Sequence, residues 1–350
     1  MNDIDVILVS YFAPQEINMH RVIRNLTASL ILGVASLSGV NSAYAEGPKV
    51  GIFVADSFGD RAFFDIALGG KDLVEDNYEA TVNTYEGRLQ ADKFFRQLSD
   101  AGRNNDMVFV LGFEAIDAMM RAAEANEDAH FIFIDAKLDS PVVSSVGYRD
   151  SEGCYLIGAL AAQLTTTDLP MINPEKTIGF VGGVDSPVIR DCESGYKQGA
   201  AAIDPDTKVV SGYVGSWVDP AKGKVINQSL NQDGSDINYQ YAGLSGEGGF
   251  DSVRSGASGY ALGAGFDQSN LAPGYVPGSM LKRVDETINR VTKSLLDGKL
   301  EKGFTESEGV SEGGLVVVYD DELVSKDIQN QVDELATGIA EGKIKVESDR

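Results

Sequence analysis

The feature that most constrains this chain is an alternation of short continuous apolar runs with longer amphipathic stretches. Lys49–Ala55 (KVGIFVA) reads as a buried strand and Asp60–Glu75 as the helix after it. Ala80–Tyr85, Met107–Leu111 (MVFVL) and His130–Asp135 (HFIFID) read as further strands, with helices over Leu89–Ala101 and Glu114–Ala125 between them. Continuous apolar strands separated by helices predict a parallel sheet covered on both faces.

The alternation then restarts. Helices are predicted over Glu152–Leu164, Pro187–Ala202, Pro220–Gln232 and Gly248–Ser255. Strands are predicted over Thr177–Val181, Val209–Val214, Ile237–Tyr241 and Tyr260–Ala264. Leu281, Val284, Ile288, Val291 and Leu295 recur at helical spacing, so Leu281–Leu296 is expected to be amphipathic, with Gly298 at its carboxyl cap. Leu315–Tyr319 reads as a strand and Lys326–Glu341 as a closing helix.

The expected fold class is therefore α/β, with two doubly wound parallel-sheet lobes joined by a three-crossing hinge. The crossings are expected near Val146–Arg149, Gly265–Ser269 and Gly313–Val316. One lobe would comprise 46–148 plus 269–314 and the other 149–268 plus 315–350. Ligands of open α/β sheets bind beyond the carboxyl ends of the strands, so two such lobes place a ligand in the cleft between them. Hinge closure would bury it.

Charge removes several functions from consideration. The 350 residues carry 53 acidic and 29 basic side chains, a net charge of −24. Nucleic acids are held by Lys and Arg through counterion release, so no nucleic-acid partner is expected. Anionic membrane surfaces are disfavoured for the same reason. Such charge favours a soluble monomer.

Residues 19–45 read as a leader. Arg21 and Arg24 precede an apolar stretch from Leu26 to Val40, and Ala43-Tyr44-Ala45 follows with a small-x-small pattern. The stretch is shorter than the roughly 20 residues a membrane span needs. A secretory signal peptide cleaved after Ala45 is expected, with a membrane anchor as the alternative, and the mature chain is expected to be periplasmic. Asp3, Asp5 and Glu16 are unlike a signal start, which makes Met19 a candidate initiator. An oxidising compartment would permit a Cys154–Cys192 bridge. Bridging needs close Cα atoms, which sequence cannot fix, and two separate buried thiols are the favoured reading.

Several long segments resemble one known family. They are DSFGDRAFFDIALGG, FIFIDAKLDSPVVSSVGY, EGCYLIGALAAQLT, TIGFVGGVDSPVIRDCESGYKQGA, YVGSWVDPAKGK, GSMLKRVD and IAEGKIKV, in that order over 49–346. The chain resembles the basic membrane protein, or purine nucleoside receptor-like, family of ABC-transporter substrate-binding proteins. The resemblance implies a type I periplasmic-binding-protein fold. It also implies capture of a purine nucleoside or nucleobase for an inner-membrane ABC permease.

The ligand-site candidates follow from matching residues. Asp60 and Phe63 match the family's first loop, while the family's Asn in that loop is Phe64 here. Without the resemblance, an aromatic pair in a first helical turn fits core packing as well as ligand contact. Trp217, the only Trp, stands where the family usually has Phe, and could equally be a packing residue. The resemblance implies that Phe63 and Trp217 sandwich a flat ring, which gains apolar burial and stacking. Asp135 ends a predicted strand and faces the cleft as an acceptor for ring N–H or amino groups; capping the next turn is its alternative. Lys282 matches the family's cleft lysine, with a solvated helix start as its alternative.

One departure matters. The family grips ribose with an Asp where this chain has Gly265, and Asp267 lies two places on. Ribose recognition is thereby in question, and a free nucleobase or another flat heterocycle becomes an alternative ligand. Gly243 opens a strand-to-helix turn in which backbone can approach a ligand closely. That turn lacks dinucleotide-loop spacing, and Gly182-Gly183 lacks the ending of a triphosphate loop. No nucleophile–base or metal-ligand pattern is evident, so no catalytic residue, metal or cofactor is expected. A ligand-sensing receptor of the same fold is the alternative to transport, and a nucleoside-processing enzyme a remote one.

Overall fold

The computed structural model describes residues 47–256 and 259–349. The leader expected over 1–45 lies outside them. Among the described residues no helix is long and apolar enough to cross a membrane.

The first half runs β1 (Lys49–Val54), α1 (Phe63–Asn77), β2 (Thr81–Glu86), α2 (Ala91–Asn104), β3 (Met107–Leu111), α3 (Ile116–Ala125), β4 (His130–Ile134) and β5 (Val143–Tyr148). The second runs α4 (Asp150–Leu164), β6 (Thr177–Gly182), α5 (Pro187–Ile203), β7 (Lys208–Tyr213), α6 (Pro220–Gln232), β8 (Ser235–Tyr241), α7 (Glu247–Arg254), β9 (Tyr260–Gly265) and β10 (Gly278–Lys282). The chain ends with α8 (Val284–Leu296), β11 (Thr305–Glu308), β12 (Leu315–Tyr319) and α9 (Lys326–Ala340).

Among the described residues two six-stranded sheets result, ordered β11-β5-β4-β3-β1-β2 and β12-β10-β9-β8-β6-β7. The observed pairings are parallel except β10 with β12. The central strands are buried along their whole length, which is why β3 and β6 read as unbroken apolar runs. In each sheet the chain winds one way and then the other. The switch lies between β1 and β3 in the first sheet and between β6 and β8 in the second. Loops leaving strands on either side of a switch diverge and open a crevice.

The crossings differ from expectation in one place. The chain passes between lobes at Arg149 and again between β11 and β12. The middle crossing is at Arg283, not near Gly265–Ser269, so residues up to Lys282 belong with the second sheet. Strand β10 pairs with both β9 and β12 there, whereas α8 packs on α1 of the first lobe. Leu281 matched the helical spacing by coincidence and stands on a strand, while Val284, Ile288, Val291 and Leu295 form the buried stripe of α8.

The crossings are laced together. The Tyr148 and Thr287 hydroxyls lie 2.7 Å apart, and Thr287 donates to Glu308 at 2.6 Å. Arg149 donates to the Ser307 carbonyl at 2.7 Å, and the Arg283 N–H reaches the Gly314 carbonyl at 2.8 Å.

Helices α4 and α5 pack backbone against backbone. A Cβ on Gly199 would lie 1.8 Å from the Tyr155 carbonyl oxygen, and one on Gly195 2.1 Å from that of Ser151. Only glycine permits this approach. It corrects the expectation of separate thiols: Cys154 on α4 and Cys192 on α5 have Cα atoms 5.2 Å apart and form a disulfide. Below this pair, Asp236 of β8 is 1 % exposed and accepts from Thr165 Oγ1 at 2.8 Å and the Asn173 N–H at 3.0 Å.

Two stability measurements test this packing. Gly199→Ala should destabilise the protein by about 2 kcal/mol in urea, since forced overpacking outweighs alanine's better helix propensity. An unchanged midpoint would mean that the helices can part freely. Burial raises the Asp236 pKa to about 6, against the opposing pull of its hydrogen bonds. The folded state thus binds the proton more tightly than the unfolded chain. Stability should fall as pH rises from about 4 to 6, by on the order of 3 kcal/mol for this group. Asp236→Asn, whose amide can donate to Thr165, should flatten that leg of a pH–Tm profile.

Candidate functional site

The site is built where both switch points meet the middle crossing. Helix α1 begins just after the first switch. Asp60 precedes it and accepts from the N–H groups of Ala62 (3.0 Å), Phe64 (3.0 Å) and Asp65 (3.1 Å). Asp65 accepts in return from Gly59 and Arg61. The two carboxylates order the loop and satisfy N–H groups that a helix start leaves open. Burial raises the Asp60 pKa, with the three backbone donors opposing it. Asp60 is therefore a cap that shapes the loop and aims the half-buried Phe63, whose ring lies 5.8 Å from that of Phe64.

Lys282 is the centre of the arrangement. It ends β10, is 4 % exposed, and its ammonium lies 2.7 Å from Asp135 and 2.7 Å from Asp150. Asp135 comes from the end of β4 in the first sheet and Asp150 from the first residue of α4. Three rings surround the ammonium, with centroids at 5.1 Å (Tyr148), 5.7 Å (Phe63) and 5.9 Å (Tyr241). Tyr241 also donates to Asp150 at 2.7 Å. Burial alone would lower the Lys282 pKa, but the two carboxylates hold it well above the ordinary 10.5. Its stabilising effect is thus complete below 10.5 and is lost only as alkali removes the proton. Asp135 itself has φ of 86°, a left-handed backbone unusual for a non-glycine residue and of a kind that collects at functional sites.

The second lobe presents Trp217 on the loop after β7. Its indole rests on Gly183 and Gly243, the residues that follow β6 and β8 across the second switch. A Cβ on Gly183 would fall 2.3 Å from the ring and one on Gly243 3.4 Å from it. Gly243 has φ of 58°, and the Trp217 carbonyl accepts from Ser245 at 2.9 Å. Trp217 is 39 % exposed although its indole is packed on the two glycines.

The lobes also touch at the cleft rim. Arg61 lies 3.5 Å from Glu247 of α7, and Gln268 donates to the Arg61 carbonyl at 3.4 Å. Gly265, with φ of 89°, approaches Ile66 of α1: a Cβ there would be 3.3 Å from its Cδ1. A crevice of about 380 Å³, within the range of small-molecule sites, runs between α1 and the ends of β9 and β10. Gly265 and Lys282 line it; Phe63, Asp135 and Trp217 do not.

The structure thus joins Phe63, Asp135 and Lys282 in one cluster and Trp217 with Gly243 in a second. Phe64 backs Phe63. Asp267 joins neither: it is exposed and accepts from the Ser269 N–H in a tight turn. The neighbouring Gln268 is the buried one, accepting from Ala264 and donating to Arg61. Sequence reading missed Asp150, Tyr148, Tyr241 and Gln268. Asp150 had a visible signal, an acidic residue directly after an arginine at a helix start, but that pattern equally suits a solvated first turn.

Residues 48–349 match the family described as PnrA-like ABC transporter substrate-binding protein. The chain belongs to this family. Members similar to it include basic membrane protein A of Borreliella burgdorferi, 29 % identical over 90 % of this chain and 92 % of that one. Another is the ABC transporter nucleoside-binding protein BmpA of Lactococcus lactis, 30 % identical over 92 % of this chain and 98 % of that one. A solute-binding protein of an ABC transporter system from Aeropyrum pernix shares the fold with a TM-score of 0.75. It has 24 % identity and covers 85 % of this chain and 92 % of its own. The protein is an ABC transporter substrate-binding protein of the periplasmic-binding-protein fold, in an extracytoplasmic family.

Lys282→Met should leave two buried carboxylates without their cation and cost about 3–5 kcal/mol in urea unfolding at pH 7. A loss within the range of an exposed pair, about 1 kcal/mol or less, would show that Asp135 and Asp150 do not depend on it.

Proposed function

We propose that this substrate-binding protein captures a purine nucleoside or nucleobase in the cleft and delivers it to an ABC permease. The observation that carries the reading is the Lys282 cluster, in which both lobes contribute to one polar, aromatic-walled centre. In this reading hinge closure brings Phe63 of the first lobe and the exposed Trp217 of the second onto the ligand, though neither lines the crevice beside α1. A flat, uncharged heterocycle gains stacking and apolar burial between such faces, and Asp135 offers acceptors to its N–H groups. The name of the Lactococcus relative supports the ligand class. Contact with both lobes is what lets a ligand favour the closed form.

In this reading the chain is exported by its leader, cleaved after Ala45, works in the periplasm as a monomer, and binds without catalysis. A free base is the second form of the ligand, favoured by Gly265: no side chain there can hold a ribose. Micromolar binding needs about −8 kcal/mol, within reach of one stacked base and a few buried hydrogen bonds.

Titrating ligand-free protein with adenine, guanine, hypoxanthine and their nucleosides should change Trp217 emission. Bases binding as tightly as nucleosides would identify the base as the ligand. Trp217→Ala should weaken binding about tenfold or more without unfolding the chain. Silence toward every purine in both fluorescence and calorimetry would overturn the ligand class, and base release from a nucleoside would overturn the non-catalytic role.

A further inference from the structure

Helix α5 fixes where one residue of the cleft stands. Asp150 opens α4 with its side chain fully buried, and Lys282 and Tyr241 both bind it. The next residue, Ser151, donates its N–H to Asp191 of α5 at 3.1 Å. Asp191 is 1 % exposed, and its other oxygen accepts from Ser348 Oγ at 2.6 Å and the Asp349 N–H at 3.0 Å. One turn further along α4, Cys154 is bonded to Cys192, the neighbour of Asp191. A carboxylate at a helix start and a covalent tie one turn on hold the same turn from the same side.

The disulfide also reaches the other partner of Asp150. Cys154 Sγ lies 3.8 Å from the Tyr239 hydroxyl. The Tyr239 ring stacks on Tyr241, with centroids 5.7 Å apart and planes 25° apart. Cys154 therefore touches the supports of both ends of the Tyr241–Asp150 hydrogen bond.

We infer that Asp191 and the Cys154–Cys192 bridge form a positioning clamp that sets Asp150, and through it Lys282, so that the clamp tunes ligand affinity as well as stability. The inference rests on the reading that the Lys282 cluster meets the ligand. Asp191 and the two cysteines are positioning residues, since none of them lines the cleft cluster.

Three full-length variants test it: C154A/C192A, C154V/C192A, which refills the volume without the bond, and D191N. Binding of adenosine, guanosine and hypoxanthine is measured by calorimetry at a temperature where circular dichroism shows each variant folded. Kd should rise roughly tenfold in C154A/C192A and severalfold in D191N, within the range of indirect couplings, and an unchanged Kd in D191N would remove Asp191 from the clamp. It should stay raised in C154V/C192A. Hydrogen exchange on ligand-free protein should quicken in peptides covering 149–157 and 279–284 relative to 107–125. A lower urea midpoint with unchanged Kd, or full recovery of Kd in C154V/C192A, would reduce the bridge to a structural brace and overturn the clamp. If wild-type protein binds none of the three probes, the ligand reading fails. The exchange pattern then decides the clamp alone: selective quickening upholds it, and uniform or unchanged exchange overturns it.

Discussion

One buried ammonium shared by two buried carboxylates sets the terms for the rest of the molecule. Neither Asp135 nor Asp150 could be desolvated so thoroughly without Lys282, and Lys282 could not be buried without them. A buried ion group of this kind is modest evidence for stability. It constrains geometry as well, because displacing Lys282 strands two buried carboxylates at once. The three residues come from β4, α4 and β10, so a charge requirement becomes a geometric one. The end of the first sheet, the start of the second lobe's first helix and the middle crossing must converge on one point.

The packing around that point serves the same convergence. The glycines of α4 and α5 bring two backbones together, and the disulfide lies in that contact. The Tyr148–Thr287–Glu308 chain ties the ends of β5 and β11 to α8. Asp60 caps α1 so that Phe63 leaves the loop toward the ammonium. Each of these satisfies a local need, such as an open helix start, a buried hydroxyl or a close helix contact. Each also removes a degree of freedom from the cleft.

Much of the fold was legible in the sequence because buried parallel strands leave unbroken apolar runs; MVFVL and HFIFI needed no context. Strands β5, β10 and β11 were not legible, β5 because VSSVGY breaks its apolar run with two serines and a glycine. TESE is a polar edge with little burial, and Leu281 fell by chance into the spacing of the helix that follows it. Of the site, Asp135, Phe63 and Lys282 could be named from position and resemblance, and they do meet. Asp150 could not, because its role depends on a partner far along the chain. The disulfide was hidden for a related reason: it follows from the glycine spacing on two helices at once. Asp267 and Gln268 show the limit of one-residue resolution, since a tight turn sent the acidic side chain outward and the amide inward.

Two of the three crossings are a single residue wide, Arg149 and Arg283, whereas the third spans the longer segment between Glu308 and Leu315. Two short tethers leave little room for sliding one lobe past the other. Tethers this short favour swinging about a line through those two arginines over shear. The lobes of this protein are hung like a door on two pins.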